Sequence, residues 1–199
     1  MIHDSKKRYS GRLCQPLDPG DMYEVFWEKR YTASGVTLSL RPLSFLTDEP
    51  LLRELALLEL PGRPQIAETL FRTKKDELSM LAFSDFGQSF LGAVDGRPAF
   101  LAIIHRMQQH TMGHSYTALP RDHKLTLERV LAIDSSPSDV YAFAIWQGCA
   151  ECLLEFPEVG RLITALDIFR PSEKQYCRAA GFRPLARISG SNLEELYCR

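Results

Sequence analysis

Arg161 to Phe182 reads R-L-I-T-A-L-D-I-F-R-P-S-E-K-Q-Y-C-R-A-A-G-F, and this stretch decides the fold. Leu162, Ile163, Ala165 and Leu166 form a short apolar run bounded by charge, the length and composition of a buried strand. Asp167 ends it. After Ile168-Phe169-Arg170, Ser172 with Gln175 three residues on reads as a capping box, and Pro171 just ahead of it stands where no backbone N–H is needed. Tyr176, Ala179 and Ala180 share a helical face, Gly181 takes the position that wants positive φ after a helix, and Phe182 can fold back on the last turn. The unit is strand, acidic tip, helix and hard stop.

A strand, an Asp, a helix and a closing A-G-F resemble the last motif of the GNAT superfamily of acyl-CoA-dependent N-acyltransferases. The lead-in F-P-E-V-G-R-L at Phe156 to Leu162 and the L-D at Leu166-Asp167 look most like the branch that acylates lysine-type siderophore precursors. The resemblance implies an α/β fold: a twisted mixed β-sheet with helices on both faces, here covering about 36–199 with an extra strand before it. It also implies an acyl-CoA co-substrate, acetyl-CoA or a longer acyl form, and a small-molecule amine or hydroxylamine acceptor.

The rest of the chain is ordered to match. Residues 1–20 are basic at Lys6, Lys7 and Arg8 and then carry Pro16, Pro19 and Gly20, the composition of a flexible or loosely docked arm before a single domain over 21–199. Tyr23, Val25, Trp27 and Tyr31 alternate, which suggests a strand pairing through Thr32–Gly35 with Val36, Leu38 and Leu40. A helix is the competing reading, since Asp21 and Glu24 fit a capping box and Tyr23, Phe26, Trp27 and Arg30 share a face. V-T-L-S-L-R-P-L resembles the opening L-R-P of a GNAT domain.

A helix is expected from about Asp48 to Leu60 on a Leu51, Leu52, Leu55, Leu58 stripe, stopped by Pro61-Gly62. A second starts near Pro64 and continues through Ile66, Leu70 and Phe71. In the resembling family this pair walls the acceptor cleft. The clearest hairpin follows, with Phe90–Val94 and Arg97–His105 joined at Asp95-Gly96, a pair favoured in type I′ turns, and Pro98 beside it. Residues 106–124, with three of the five histidines, lack firm periodicity and read as a long loop over the cleft. Thr126–Ile133 reads as a strand, and a helix after 134–138 runs to about Glu155 with Phe143, Gln147, Ala150 and Leu154 on one side and Trp146 and Leu153 widening it. Pro184–Ile188 and Leu193–Cys198 read as two final strands.

Composition narrows the function classes. A formal net charge of -1 gives no footprint for a polyanion, so nucleic acid is not expected as a partner. No apolar run approaches the ~20 residues of a bilayer span, and the start lacks a signal-peptide core, so no membrane partner and a cytoplasmic location are expected. Five scattered cysteines suit free thiols, and Cys149-Ala-Glu-Cys152 has no second pair at zinc spacing, so no metal is expected and the two read as buried structural thiols. Oligomeric state is open, with a homodimer allowed.

The resemblance distributes the chemistry. Asp167 fills the place of the Asp that lies beside the substrate amine in the siderophore branch. The branch's His on the fourth strand is replaced by Glu128 and Arg129, which leaves Glu128, or His105 at the end of the preceding strand, as the expected base. Pantetheine would pair with backbone at Leu131 and Ile133, and Ser135, Ser136 and Ser138 would meet the pyrophosphate at the next helix's N-terminus. That loop lacks glycine, Arg and Lys, and Asp139 in the first turn already satisfies the positive helix end. A binding module of the same ancestry that has lost acyl-CoA is therefore a second expectation. The family's tyrosine acid, four residues before the last glycine, is Cys177 here, with Tyr176 one residue earlier.

Overall fold

The structure, a computed structural model, describes Leu13 and residues 24–32, 34–59, 62–82, 84–107, 116–129, 139–167, 171–188 and 194–199. Among these residues eight strands form one sheet and four helices cover it. In chain order the elements are β1 (Trp27–Tyr31), β2 (Val36–Pro42), α1 (Phe45–Glu59), α2 (Pro64–Ala82), β3 (Gly87–Val94) and β4 (Arg97–Arg106). Then come β5 (Asp122–Arg129), α3 (Asp139–Leu154), β6 (Arg161–Asp167), α4 (Pro171–Ala179), β7 (Arg183–Ile188) and β8 (Glu194–Cys198). The spatial order is β1-β2-β3-β4-β5-β6-β8-β7. All neighbours are antiparallel except β5 and β6. The expected twisted mixed sheet with helices on both faces, and an added N-terminal strand, is what the chain forms.

Period-two alternation divides the core between the two faces. On β4, Phe100, Ala102 and Ile104 enter the larger core beneath α3 and α4 with Trp146, Cys149, Leu153 and Phe182. Leu101 and Ile103 face the other way, against Phe71, Leu78 and Leu81 of α2. Phe100 lies flat across Gly92, where an added Cβ would come within 2.0 Å of its ring, so only glycine leaves room for it. Leu13 is fully buried in the larger core, so at that residue the N-terminal segment is docked. The remainder of residues 1–20 lies outside the described residues.

Local signals explain most element ends. Asp95 and Gly96 both have positive φ, 49° and 78°, as a type I′ turn requires. Pro98 is accommodated by a register shift at Gly92/Ala93 that sets Gly92 opposite Phe100 and Ala93 opposite Pro98. At the end of α4, Gly181 N–H donates to Arg178 O at 2.9 Å and Phe182 N–H donates to Cys177 O at 3.1 Å, the paired bonds of a Schellman stop, with Gly181 at φ 92°.

Several expectations are corrected. The N-terminal strand begins at Trp27 and not Tyr23, with Trp27 opposite Leu40 and Tyr31 opposite Val36, which removes the helical alternative over 27–31. Helix α1 starts at Phe45, because Asp48 does not open it. Its carboxylate turns back to accept Ser44 N–H at 2.9 Å and to pair with Arg41. Helix α2 buries Phe71 as expected but leaves Ile66 exposed, and Ala67, Leu78 and Leu81 complete its buried face. In α3 Trp146, Ala150 and Leu153 are buried as expected and Cys149 joins them, while Phe143 and Leu154 are only half-buried and Gln147 turns aside to donate to Glu151. Helix α4 begins at Pro171, which puts Ser172 inside the first turn and not at the cap. Strand β5 begins at Asp122, four residues before Thr126, and 130–133 lie outside the described residues.

Candidate functional site

Among the described residues the sheet has one parallel pair, and its ladder is short. Strands β5 and β6 pair over three positions, Asp122 with Arg161, His123 with Leu162 and Lys124 with Ile163. Beyond these the ladder is not continued, although β5 runs on to Arg129 and β6 to Asp167. Each strand stays anchored on its outer side, β5 to β4 as far as Arg129 opposite Phe100, and β6 to β8 as far as Asp167 opposite Glu194. The two strands therefore part like a wedge, with a cleft of about 340 Å³ between them.

The cleft passes through the sheet. One wall is Thr126, Leu127 and Glu128 of β5, and the other is Thr164, Ala165, Leu166 and Asp167 of β6. Phe100, Ala142, Ile145 and Trp146 supply an apolar floor on the α3 side, and Glu173 and Tyr176 of α4 close the end beyond β6. Glu128 sits opposite Leu101 and so belongs to the α1/α2 face, where Lys74 of α2 forms an ion pair with it. The same alternation places Ala165 and Asp167 on that face, since Leu162 and Leu166 enter the core on the other. One mouth of the cleft is thus acidic and the opposite side aromatic.

Asp167 and Glu128 are brought to one cleft. His105 is not. It is half-buried opposite Gly87 and Lys124, four positions along β4 from Leu101, which at ~3.3 Å per residue is roughly 13 Å from the residue paired with Glu128. Burial and then the Lys124 charge push its imidazole down, against a smaller upward pull from Glu77, so the neutral ring is favoured. Leu131, Ile133, Ser135, Ser136 and Ser138 lie outside the described residues, as do His110 and His114.

Tyr176 lines the cleft, whereas Cys177 is fully buried with its thiol pushed up to about 12 by desolvation, against a smaller pull from Arg178. The one-residue offset in sequence is thus a choice between cleft and core. Cys149 and Cys152 are likewise buried, and desolvation pushes the Cys149 thiol well above its ordinary value. Among the described residues no group of three or more His, Cys, Asp or Glu side chains could hold a metal ion, and no helix is long and apolar enough to cross a membrane.

The closed end of the wedge is held by a buried acid. Asp122 accepts two hydrogen bonds from Arg161, Nε to Oδ1 and Nη2 to Oδ2, both 2.8 Å, and further bonds from Leu119 N–H and the Tyr116 hydroxyl. Burial alone would push its carboxyl up, but these donors outweigh burial and hold it below the usual carboxylate range. Burial and the same carboxylate push the Tyr116 hydroxyl up to about 12.

No family model matches the sequence, and no curated protein does. Solved structures do share the architecture. An uncharacterized protein from Bacillus halodurans superimposes with a TM-score of 0.71 at 14% identity, over 86% of this chain and 88% of that one. Aminoglycoside acetyltransferase AAC(6')-Ib in complex with coenzyme A gives 0.58 at 14% identity, over 81% and 94%. RimJ of Mycobacterium smegmatis in complex with CoA-disulfide gives 0.59 at 12% identity, over 82% and 81%. The chain therefore has a GNAT-like fold.

Proposed function

We propose that the chain is an acyl-CoA-dependent N-acyltransferase, transferring an acetyl or other acyl group directly to a small-molecule amine or hydroxylamine. The observation that carries this reading is the wedge between β5 and β6. A strand edge with no neighbour in its ladder offers backbone donors and acceptors, and an extended ligand with amide groups can pair with them as an added strand would. Pantetheine has that character. Two neighbours of the same overall fold were solved with coenzyme A or its disulfide, which supports this reading.

The residues present suit the transfer. Asp167 holds the acceptor as its ammonium and Glu128 takes the proton that must leave before attack, its carboxylate positioned by Lys74. The nitrogen lone pair forms the new bond to the thioester carbonyl, and the C–S bond breaks. Tyr176 is the hydroxyl in the cleft suited to give its proton to the departing thiolate and to regain one from the nitrogen as the amide forms, so that Glu128 holds the single proton released overall. Backbone at Leu131 and Ile133 would continue the pairing. Ser135, Ser136 and Ser138 would meet the pyrophosphate ahead of α3. An acceptor of the siderophore-precursor type agrees with the L-D at Leu166-Asp167 and with the acidic mouth.

One sequence observation favours a second reading, a non-catalytic binding module. Ser135 to Ala142 contains no glycine, Arg or Lys, and Asp139 opens α3. Thermal-shift titration with acetyl-CoA and CoA separates the two. At a hundred times its Kd a ligand stabilises by ~2.7 kcal/mol, or roughly 5 °C or more for a chain of this size. A shift of that order supports the transferase, and none at millimolar ligand leaves the binding module.

A further inference from the structure

The wedge needs a fixed point from which its strands diverge, and the residues at that point are unusually well tied. Arg161 is the first residue of β6 to pair with β5, and its partner in the ladder is Asp122 itself. The side chains repeat the backbone connection through the bidentate contact of Arg161 with Asp122, and Tyr116 bridges the two, with Arg161 Nη2 donating to its hydroxyl oxygen at 2.9 Å. Backbone bonds add to this. Gly160 and Arg161 N–H both donate to Arg121 O at 2.9 and 3.3 Å, Met107 N–H donates to Asp122 O at 3.0 Å, and Arg121 donates to Pro157 O.

A bidentate guanidinium–carboxylate contact fixes the relative orientation of its two partners as well as their separation. Since one partner stands on each strand of the wedge, orientation here means the angle at which β5 and β6 part. Beyond Lys124 and Ile163 no continued ladder corrects that angle.

We infer that Tyr116, Asp122 and Arg161 act as a bolt that sets the opening angle of the cleft and so positions the acyl-CoA between β5 and β6. They are positioning residues that touch no ligand. The inference rests on the transferase reading only for the identity of the ligand; the effect on strand angle stands apart from it.

The test reads both. Spin labels on Arg97→Cys and Ser172→Cys, exposed positions beside the far ends of β5 and β6, report the width of the mouth by pulsed electron resonance, with Cys14 and Cys198 replaced by serine. Arg161→Met is expected to broaden the distance distribution and to weaken acetyl-CoA binding about tenfold. Glu151→Gln, which loosens the remote Lys29 and Tyr31 contacts, provides a control of lowered stability in which neither readout moves. Tyr116→Phe, which removes only the bridging hydroxyl, produces a smaller change in the same direction and keeps the test usable should Arg161→Met fail to fold. An unchanged distribution in the folded variants overturns the bolt. A broadened distribution with no acetyl-CoA binding by the parent protein upholds the bolt and overturns the transferase reading.

Discussion

The indole of Trp146 meets the ring of Phe182 edge-on, with centroids 5.6 Å apart and planes at 77°. This contact joins the floor of the cleft to the residue that terminates α4, so the helix stop and the site share one packing unit. Phe182 is fully buried, and Phe182→Ala is expected to cost about 3–5 kcal/mol in urea unfolding. Tryptophan emission should shift to the red in the folded variant as Trp146 gains solvent. A loss under about 1 kcal/mol with unchanged emission would separate the two features.

Asp167→Asn keeps the shape of the side chain and removes its charge. With Asp167 holding an ammonium, turnover should fall about ten- to a hundredfold, the equivalent of one charge-assisted hydrogen bond, while acetyl-CoA affinity stays within about twofold. Steady-state kinetics beside equilibrium titration makes the comparison. Equal turnover would assign Asp167 to structure.

Asp122 predicts a pH signature in stability. Its carboxyl is held below the ordinary range in the folded protein, so the unfolded chain binds its proton first as acid is added. The resulting stabilisation is present above about pH 4, the unfolded value, and is lost as pH falls through the lower folded one. Asp122→Asn removes that contribution. Urea midpoints of parent and variant should differ most near pH 7 and converge below about pH 4, and a gap independent of pH would contradict this.

The sequence discloses those parts of the fold that have local causes. Asp95-Gly96 sets a hairpin by backbone preference and Gly181-Phe182 stops a helix the same way, so both could be read from a few residues. Asp167 was legible as the acidic tip of an apolar strand. The start of β5 was not, because Asp122-His123-Lys124 is polar, and the buried Asp122 is satisfied by Arg161, far along the chain. Nor was the wedge, since no local pattern records where two distant strands cease to pair. Tyr176 could be separated from Cys177 only once the rotation of α4 against the sheet was known.

The insertion of β8 between β6 and β7 bears on how the protein comes into being. During synthesis β6 emerges without the neighbour that will support it, and Asp167 has no opposite strand until Glu194–Cys198 has been made. Pairing across such separations is slow, and until it occurs β6 presents an apolar edge open to other chains. The wall of the cleft is therefore among the last parts of the sheet to be secured.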